Sequence, residues 1–173
     1  MSKEPTIIIE AGAEKIWDVL VGDFVNVHKW MASIDASTAM AGTAIPGAPV
    51  VGRNAHIPLN DGIMADKIVG IDKASWTLHL DTDLKNIKGF NPMLGFKNSV
   101  YIKPLGDNRC EVTWSRSPKV VWYLSFMYPM LKKALYPGFV RSLEELKHIV
   151  ETGTPHPRKV AAFEKEAVAA AAE

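Results

Sequence analysis

Arg53–Leu59 and Ser75–Asp81 each keep a two-residue rhythm, and this constrains the fold more than any other feature. Ala55, Ile57 and Leu59 fall on one side of the first run, Asn54 and His56 on the other. Trp76, Leu78 and Leu80 alternate in the same way with Thr77, His79 and Asp81. Successive side chains of a strand point to opposite faces, so each run describes a strand with one apolar and one polar face. Asn60-Asp61-Gly62 is a hairpin signal, Met64–Ile71 reads as the middle strand, and Asp72-Lys73-Ala74 turns the chain again. Asn98–Lys103 and Arg109–Ser115 add a second hairpin, whose last strand carries Cys110, Val112 and Trp114 on one face. Thr6–Glu10 is β-branched and reads as a first strand, and Ile34–Met40 suits an edge strand.

A sheet with one apolar face needs a cover. Only one segment is long enough to supply it. Phe139, Leu143, Leu146 and Val150 recur at helical spacing, and Gly153 suits the left-handed end of that helix. The apolar run Trp122–Tyr136 precedes it, with Pro129 predicting a kink. Ala13–Val21 and Phe24–Met31 predict two short helices after the first strand, and Thr82–Phe96, with Gly89, Pro92 and Gly95, reads as a long loop. The architecture expected is α+β: a curved antiparallel sheet of six or seven strands around a long C-terminal helix, with a space between them. The domain is expected to cover residues 1–153. Pro155 and Pro157 then break the helix, so 154–173 is expected outside the core, with Phe163 a weak anchor. On that reading, deleting residues 160–173 leaves the melting temperature nearly unchanged.

The 173 residues fit one domain, and a net charge of +1 gives no electrostatic footprint for nucleic acid. The single Cys110 excludes an internal disulfide and has no partners at zinc-ligand spacing. Met1–Pro5 lacks the apolar core of a signal peptide, so the chain reads as cytoplasmic. Val120–Leu131 is apolar but too short to span a bilayer, and Lys132 and Lys133 follow it. It reads as a buried helix or a face that touches a membrane loosely, without stable insertion. The oligomeric state is left open.

Five tryptophans are spread along the chain. A bulky ring with one N–H suits a large core or a pocket with a polar edge. The pocket reading makes Trp17, Phe24, Trp30, Trp76, Trp114, Trp122, Phe126 and Phe139 candidates to line a site for a small hydrophobic or aromatic ligand.

This order of elements resembles the SRPBCC superfamily of START-like and birch-pollen-allergen-like proteins, and within it the bacterial polyketide cyclase/dehydrase-like branch. Trp17, Phe24 and Trp30 match its Trp–Phe–Trp series, and Gly52 with Asp61-Gly62 matches its strand-and-hairpin phrase. Asp66-Lys67-Ile68, Asp72 and Thr113-Trp114 match later phrases. The sequence departs from the pattern where Met31 follows the second Trp in place of His, where Arg53 directly follows Gly52, and where Asp66 stands for Glu. The resemblance implies a helix-grip fold around a ligand cavity, a fold that carries transporters, sensors and enzymes alike.

For an enzyme of that kind, a cofactor-independent cyclase, dehydratase or lyase, the candidate polar groups are His28, Arg53 and Asp66. His28 is a general base or ligand donor, or simply a helix-end histidine. Asp66 shares a strand face with Met64 and Ile68, so it is either a carboxylate in an apolar cavity or the partner of Arg53 across the hairpin. Arg53 could steady an anionic oxygen. His56 and His79 are expected to face solvent, and Glu144, Glu145, Lys147 and His148 to form the polar side of the long helix. There is no metal-ligand spacing, nucleophile elbow or phosphate loop, so neither metal nor cofactor is expected.

Overall fold

The computed structural model describes residues 4–59, 61–89 and 91–170. Asn60 of the expected hairpin turn, Phe90 of the expected loop, Met1–Lys3 and residues 171–173 lie outside the described residues.

Seven antiparallel strands form one sheet in the order β1-β7-β6-β5-β4-β3-β2. They are β1 (Thr6–Ile9), β2 (Ser37–Ala39), β3 (Gly52–Ile57), β4 (Gly62–Asp72), β5 (Thr77–Lys85), β6 (Met93–Pro104) and β7 (Cys110–Val120). β2 to β7 meander, and β1 returns to pair with β7, setting Thr6 against Thr113 and Ile9 against Cys110. Helix α1 (Ala13–Trp17) runs into a π-turn at Asp18–Gly22, and a 3-10 helix follows at Phe24–Lys29. After β7 come a 3-10 segment (Trp122–Met127), the long helix α2 (Tyr128–Thr152) and helix α3 (Pro157–Ala170). This is the curved sheet closed by a C-terminal helix that the alternating runs require.

The alternation holds within the strands, but Leu59, expected on the apolar face, lies beyond the end of β3 and is exposed. Ala55, Leu78, Leu80, Val112 and Trp114 are buried on the concave face, and Leu143, Leu146 and Val150 of α2 close over them. All the buried residues of α2 lie from Leu143 onward. The helix therefore grips the sheet with its C-terminal half, while its N-terminal half stands away. Gly153 ends it at φ 75°, donating its N–H to the Ile149 carbonyl.

Several expectations need correction. Pro129 does not kink a helix; it lies in the first turn of α2, where a missing N–H costs nothing. The interior proline is Pro137, which leaves the Lys133 carbonyl without its usual helical donor. The loop is shorter than Thr82–Phe96, because strand pairing carries β5 to Lys85 and starts β6 at Met93. Trp76 is not on a strand face; it sits in the β4–β5 turn at φ 53°, half-buried edge-on against Trp17 at 5.6 Å. The histidines of the convex face are only half exposed: His56 bonds Asp35 and Asp61, and His79 bonds Ser99.

The tail also differs from expectation. Lys159 is fully buried and its Nζ donates to the Ile34 carbonyl at 2.6 Å. Its ammonium lies 4.0 Å from the centre of the Phe163 ring. Arg158 pairs with Glu144 and Glu145 of α2. Pro155 and Pro157 do break the long helix, but Pro157 then begins a new one, and its first turn is anchored through side chains. Beyond it Val160, Phe163 and Val168 are exposed.

Candidate functional site

Five neighbouring strands each send one polar-tipped side chain to the concave face: Arg53, Asp66, Thr82, Asn98 and Trp114. Register places them. Arg53 is opposite Asp66, and Asp66 opposite Thr82. Asn98 faces Leu80, one diagonal from Thr82, and Trp114 faces Val100, one diagonal from Asn98. Gly52 permits the close approach of β3 and β4 beside them, since a Cβ there would fall 2.2 Å from the Asp66 carbonyl oxygen.

These side chains form one continuous hydrogen-bonded row. Trp114 Nε1 donates to Asn98 Oδ1 at 3.0 Å, and Asn98 Nδ2 to Thr82 Oγ1 at 3.0 Å. Thr82 donates in turn to Asp66 Oδ1 at 2.6 Å. Arg53 closes the row with Nε and Nη2 on Asp66 Oδ2, at 2.9 and 2.8 Å. Its Nη1 donates to the Phe24 carbonyl, and its guanidinium lies 4.2 Å from the centre of the Phe24 ring. All five side chains are buried, so each polar group needs the partner it has.

Above this row, where α2 stands off, lies a cavity of about 440 Å³. Met64, Leu80, Phe96 and Trp114 form its floor with Arg53, Asp66 and Asn98. Ala134, Leu135, Gly138, Phe139 and Ser142 of α2 form its roof, and Met31–Ser33 one wall. Phe139 stands edge-on to both Phe96 and Trp114, at 5.6 and 5.4 Å. Arg116 ties β7 to the raised half of α2: it donates to the Lys132 carbonyl at 3.2 Å and packs on the Tyr136 and Phe139 rings. Burial lowers the pKa of its guanidinium.

Glu145 closes one end of the cavity. It was expected on the polar side of the helix, but it is buried, accepting the Ala32 N–H at 2.9 Å and lying 3.4 Å from Arg158. The correction has a physical cause: the Ala32 backbone and the Arg158 side chain meet Glu145 on that side of α2. Burial pushes the Glu145 carboxyl above its ordinary range, against the opposing pull of the Ala32 N–H and Arg158.

Of the expected lining residues, only Trp114 and Phe139 reach the cavity, with Arg53 and Asp66 among the polar candidates. Trp17, Phe24 and Trp30 are buried in the core beside it, and Trp76 packs on Trp17. Trp122 and Phe126 are 84% and 76% exposed, and the 3-10 segment that carries them has no buried residue. His28 does not line the cavity and is not joined to Arg53 or Asp66. Thr82, Asn98 and Glu145 escaped the sequence reading. The first two were findable by carrying the alternation past Leu80 and back from Val100. Among the described residues, no group of three or more His, Cys, Asp or Glu side chains could hold a metal.

Residues 3–151 match the sequence family described as polyketide cyclase / dehydrase and lipid transport. The chain belongs to that family. The START-like resemblance of its sequence phrases thus extends to the whole domain. A START superfamily protein from Mycobacterium smegmatis superposes with a TM-score of 0.68 at 16% identity, over 88% of this chain and 98% of that one. The Zhui aromatase/cyclase from Streptomyces sp. R1128 gives 0.62 at 12% identity, over 89% and 98%. The di-domain ARO/CYC BexL from the BE-7585A biosynthetic pathway gives 0.67 at 14% identity, over 87% of this chain and 47% of that one. At such identities the likeness is one of fold. No curated protein sequence matches the chain.

Proposed function

We propose that the protein binds a hydrophobic or aromatic small molecule in the cavity between its sheet and α2. The observation that carries this reading is the cavity itself: about 440 Å³, with Phe96, Trp114 and Phe139 as its aromatic walls. That volume suits a drug-sized molecule, and apolar walls with few polar groups are the usual form of such a site. The polar row supports selectivity. A ligand oxygen over Asn98 or Arg53 would meet groups whose positions are already fixed, so little ordering is needed on binding. Native mass spectrometry of the purified protein, followed by organic extraction, tests the reading. Binding predicts a retained molecule, or stoichiometric uptake from a panel of apolar aromatics. No uptake across such a panel would count against it.

Glu145 favours a second reading, a cofactor-independent cyclase, dehydratase or lyase acting on a polyketide-like or aromatic substrate. A buried carboxyl with a raised pKa at a cavity wall is suited to carry a proton. Asp66 is less suited, since both its oxygens are already engaged by Arg53 and Thr82. Turnover of an aromatic polyketide-like substrate that is lost in Glu145→Gln, with binding kept, would establish this reading.

A further inference from the structure

Trp122, Tyr123, Phe126 and Met130 are 84%, 63%, 76% and 56% exposed, four large apolar side chains within nine consecutive residues. Leu94, 54% exposed, belongs to the same end of the sheet, since Val121 bonds Pro92 and Val120 pairs with Met93. Scattered exposed apolar residues need no explanation, but a continuous set of this size does.

The stretches of chain that carry the set are basic. From Val112 to Leu143 the chain has five cations, Arg116, Lys119, Lys132, Lys133 and Arg141, and no Asp or Glu. From Leu84 to Asn98, at the same end of the sheet, it has Lys85, Lys88 and Lys97, again with no acid. Some of these cations are neutralised: Arg116 and Lys132 share Glu4, Lys119 holds Asp81 and Asp83, and Lys88 holds Asp61. Lys133 and Arg141 are exposed and have no ion pair among the described residues. Glu4, Asp81 and Asp83 thus offset the cations of β7 and the start of α2, while Lys133 and Arg141 leave unpaired positive charge on α2 beside the apolar set.

We infer that this surface docks on an anionic lipid bilayer, lying in its interface. Trp and Tyr favour the headgroup level, where one end of the ring is apolar and the other wet, and unpaired cations favour acidic headgroups. No helix among the described residues is long and apolar enough to cross a membrane, so the contact is peripheral. The surface is also continuous with the cavity. Met130, Ala134 and Gly138 follow one another at intervals of four on α2, and the last two line the cavity. The docked face would thus set the cavity's flank toward the lipid. The docking itself stands independently of what the cavity holds.

Flotation with vesicles of phosphatidylcholine alone, and of phosphatidylcholine mixed with phosphatidylglycerol, tests this. The protein should bind the anionic vesicles, more weakly at high salt, and brominated lipid should quench its exposed Trp122. Trp122→Ser/Phe126→Ser should lower partitioning about tenfold or more while leaving the melting curve unchanged. Lys133→Glu should weaken binding to the anionic vesicles selectively. Absence of binding, equal binding to both vesicle types, or equal binding by the double variant would overturn the inference. So would a dimer that the double variant dissociates, because a second copy would then be the occupant.

Discussion

Arg53 sets both Nε and Nη2 against one oxygen of Asp66, at 2.9 and 2.8 Å, and leaves the other oxygen to Thr82. The pair is buried and opposite in register, so neither charge can be solvated if its partner is lost. Arg53→Ala should therefore destabilise the fold by about 3–5 kcal/mol, read by urea denaturation, because Asp66 is left charged in the interior. Arg53→Met combined with Asp66→Leu should cost much less, since it removes both charges together. If the double variant is the worse of the two, the pair is not the isolated unit described.

The row beyond Asp66 gives a second, milder test. Trp114→Phe keeps a ring edge-on to Phe139 but removes the N–H that Asn98 accepts at 3.0 Å. A loss of about 1–3 kcal/mol is expected, the cost of an unsatisfied buried acceptor. A fully neutral substitution would show that Asn98 finds another donor.

Gly138 separates cavity from stability. A Cβ there meets nothing within 4 Å, and the residue lies inside α2 while lining the cavity. Gly138→Leu should fill the space and weaken ligand binding at least ~tenfold, yet keep or raise the melting temperature, because leucine is the better helix former by about 1 kcal/mol. A large fall in stability would mean that the space is not open to a side chain.

The alternation of Ala55, Leu78, Leu80, Val112 and Trp114 was legible because a half-buried antiparallel strand must write its two faces into every second residue. The grip of Leu143, Leu146 and Val150 was legible for the same reason at helical spacing. The polar row beneath the cavity was half legible. Arg53 and Asp66 stood out as charges beside apolar neighbours, whereas Thr82 and Asn98 look like ordinary surface residues unless the strand is known to continue. Glu145 was illegible in its own helix, since its partners, the Ala32 backbone and Arg158, come from outside that helix. The exposure of Trp122 and Phe126 was hidden too, because composition cannot distinguish an apolar stretch that packs from one that waits for a partner.

Glu145 makes stability depend on pH with a definite sign. Its folded pKa is raised by burial, so the folded state holds the proton more tightly than the unfolded chain. The contribution is complete below the ordinary carboxylate range and is lost as pH rises through the raised value. As pH rises above the ordinary carboxylate range the wild type should lose stability relative to Glu145→Gln. A difference that grows in the wild type's favour with rising pH would show that Arg158 governs the carboxyl instead.

The tail should divide at the first turn of α3. Ending the chain at Thr154 removes the Lys159–Ile34 and Arg158–Glu145 contacts and should lower the melting temperature by at least ~5 °C. Ending it at Lys165 retains them and should leave the melting temperature within about 1 °C. Equal curves for both truncations would restore the boundary near residue 153 expected from the sequence.

The central claim is that the space between sheet and α2 is a binding site, and calorimetric titration with an anilinonaphthalene dye probes it most directly. The wild type should bind one dye per chain saturably. Gly138→Leu should lose at least ~tenfold in affinity, and Trp122→Ser/Phe126→Ser should bind as the wild type does. Undiminished binding by Gly138→Leu, or loss confined to the Trp122 and Phe126 variant, would contradict the claim and place the dye outside the cavity.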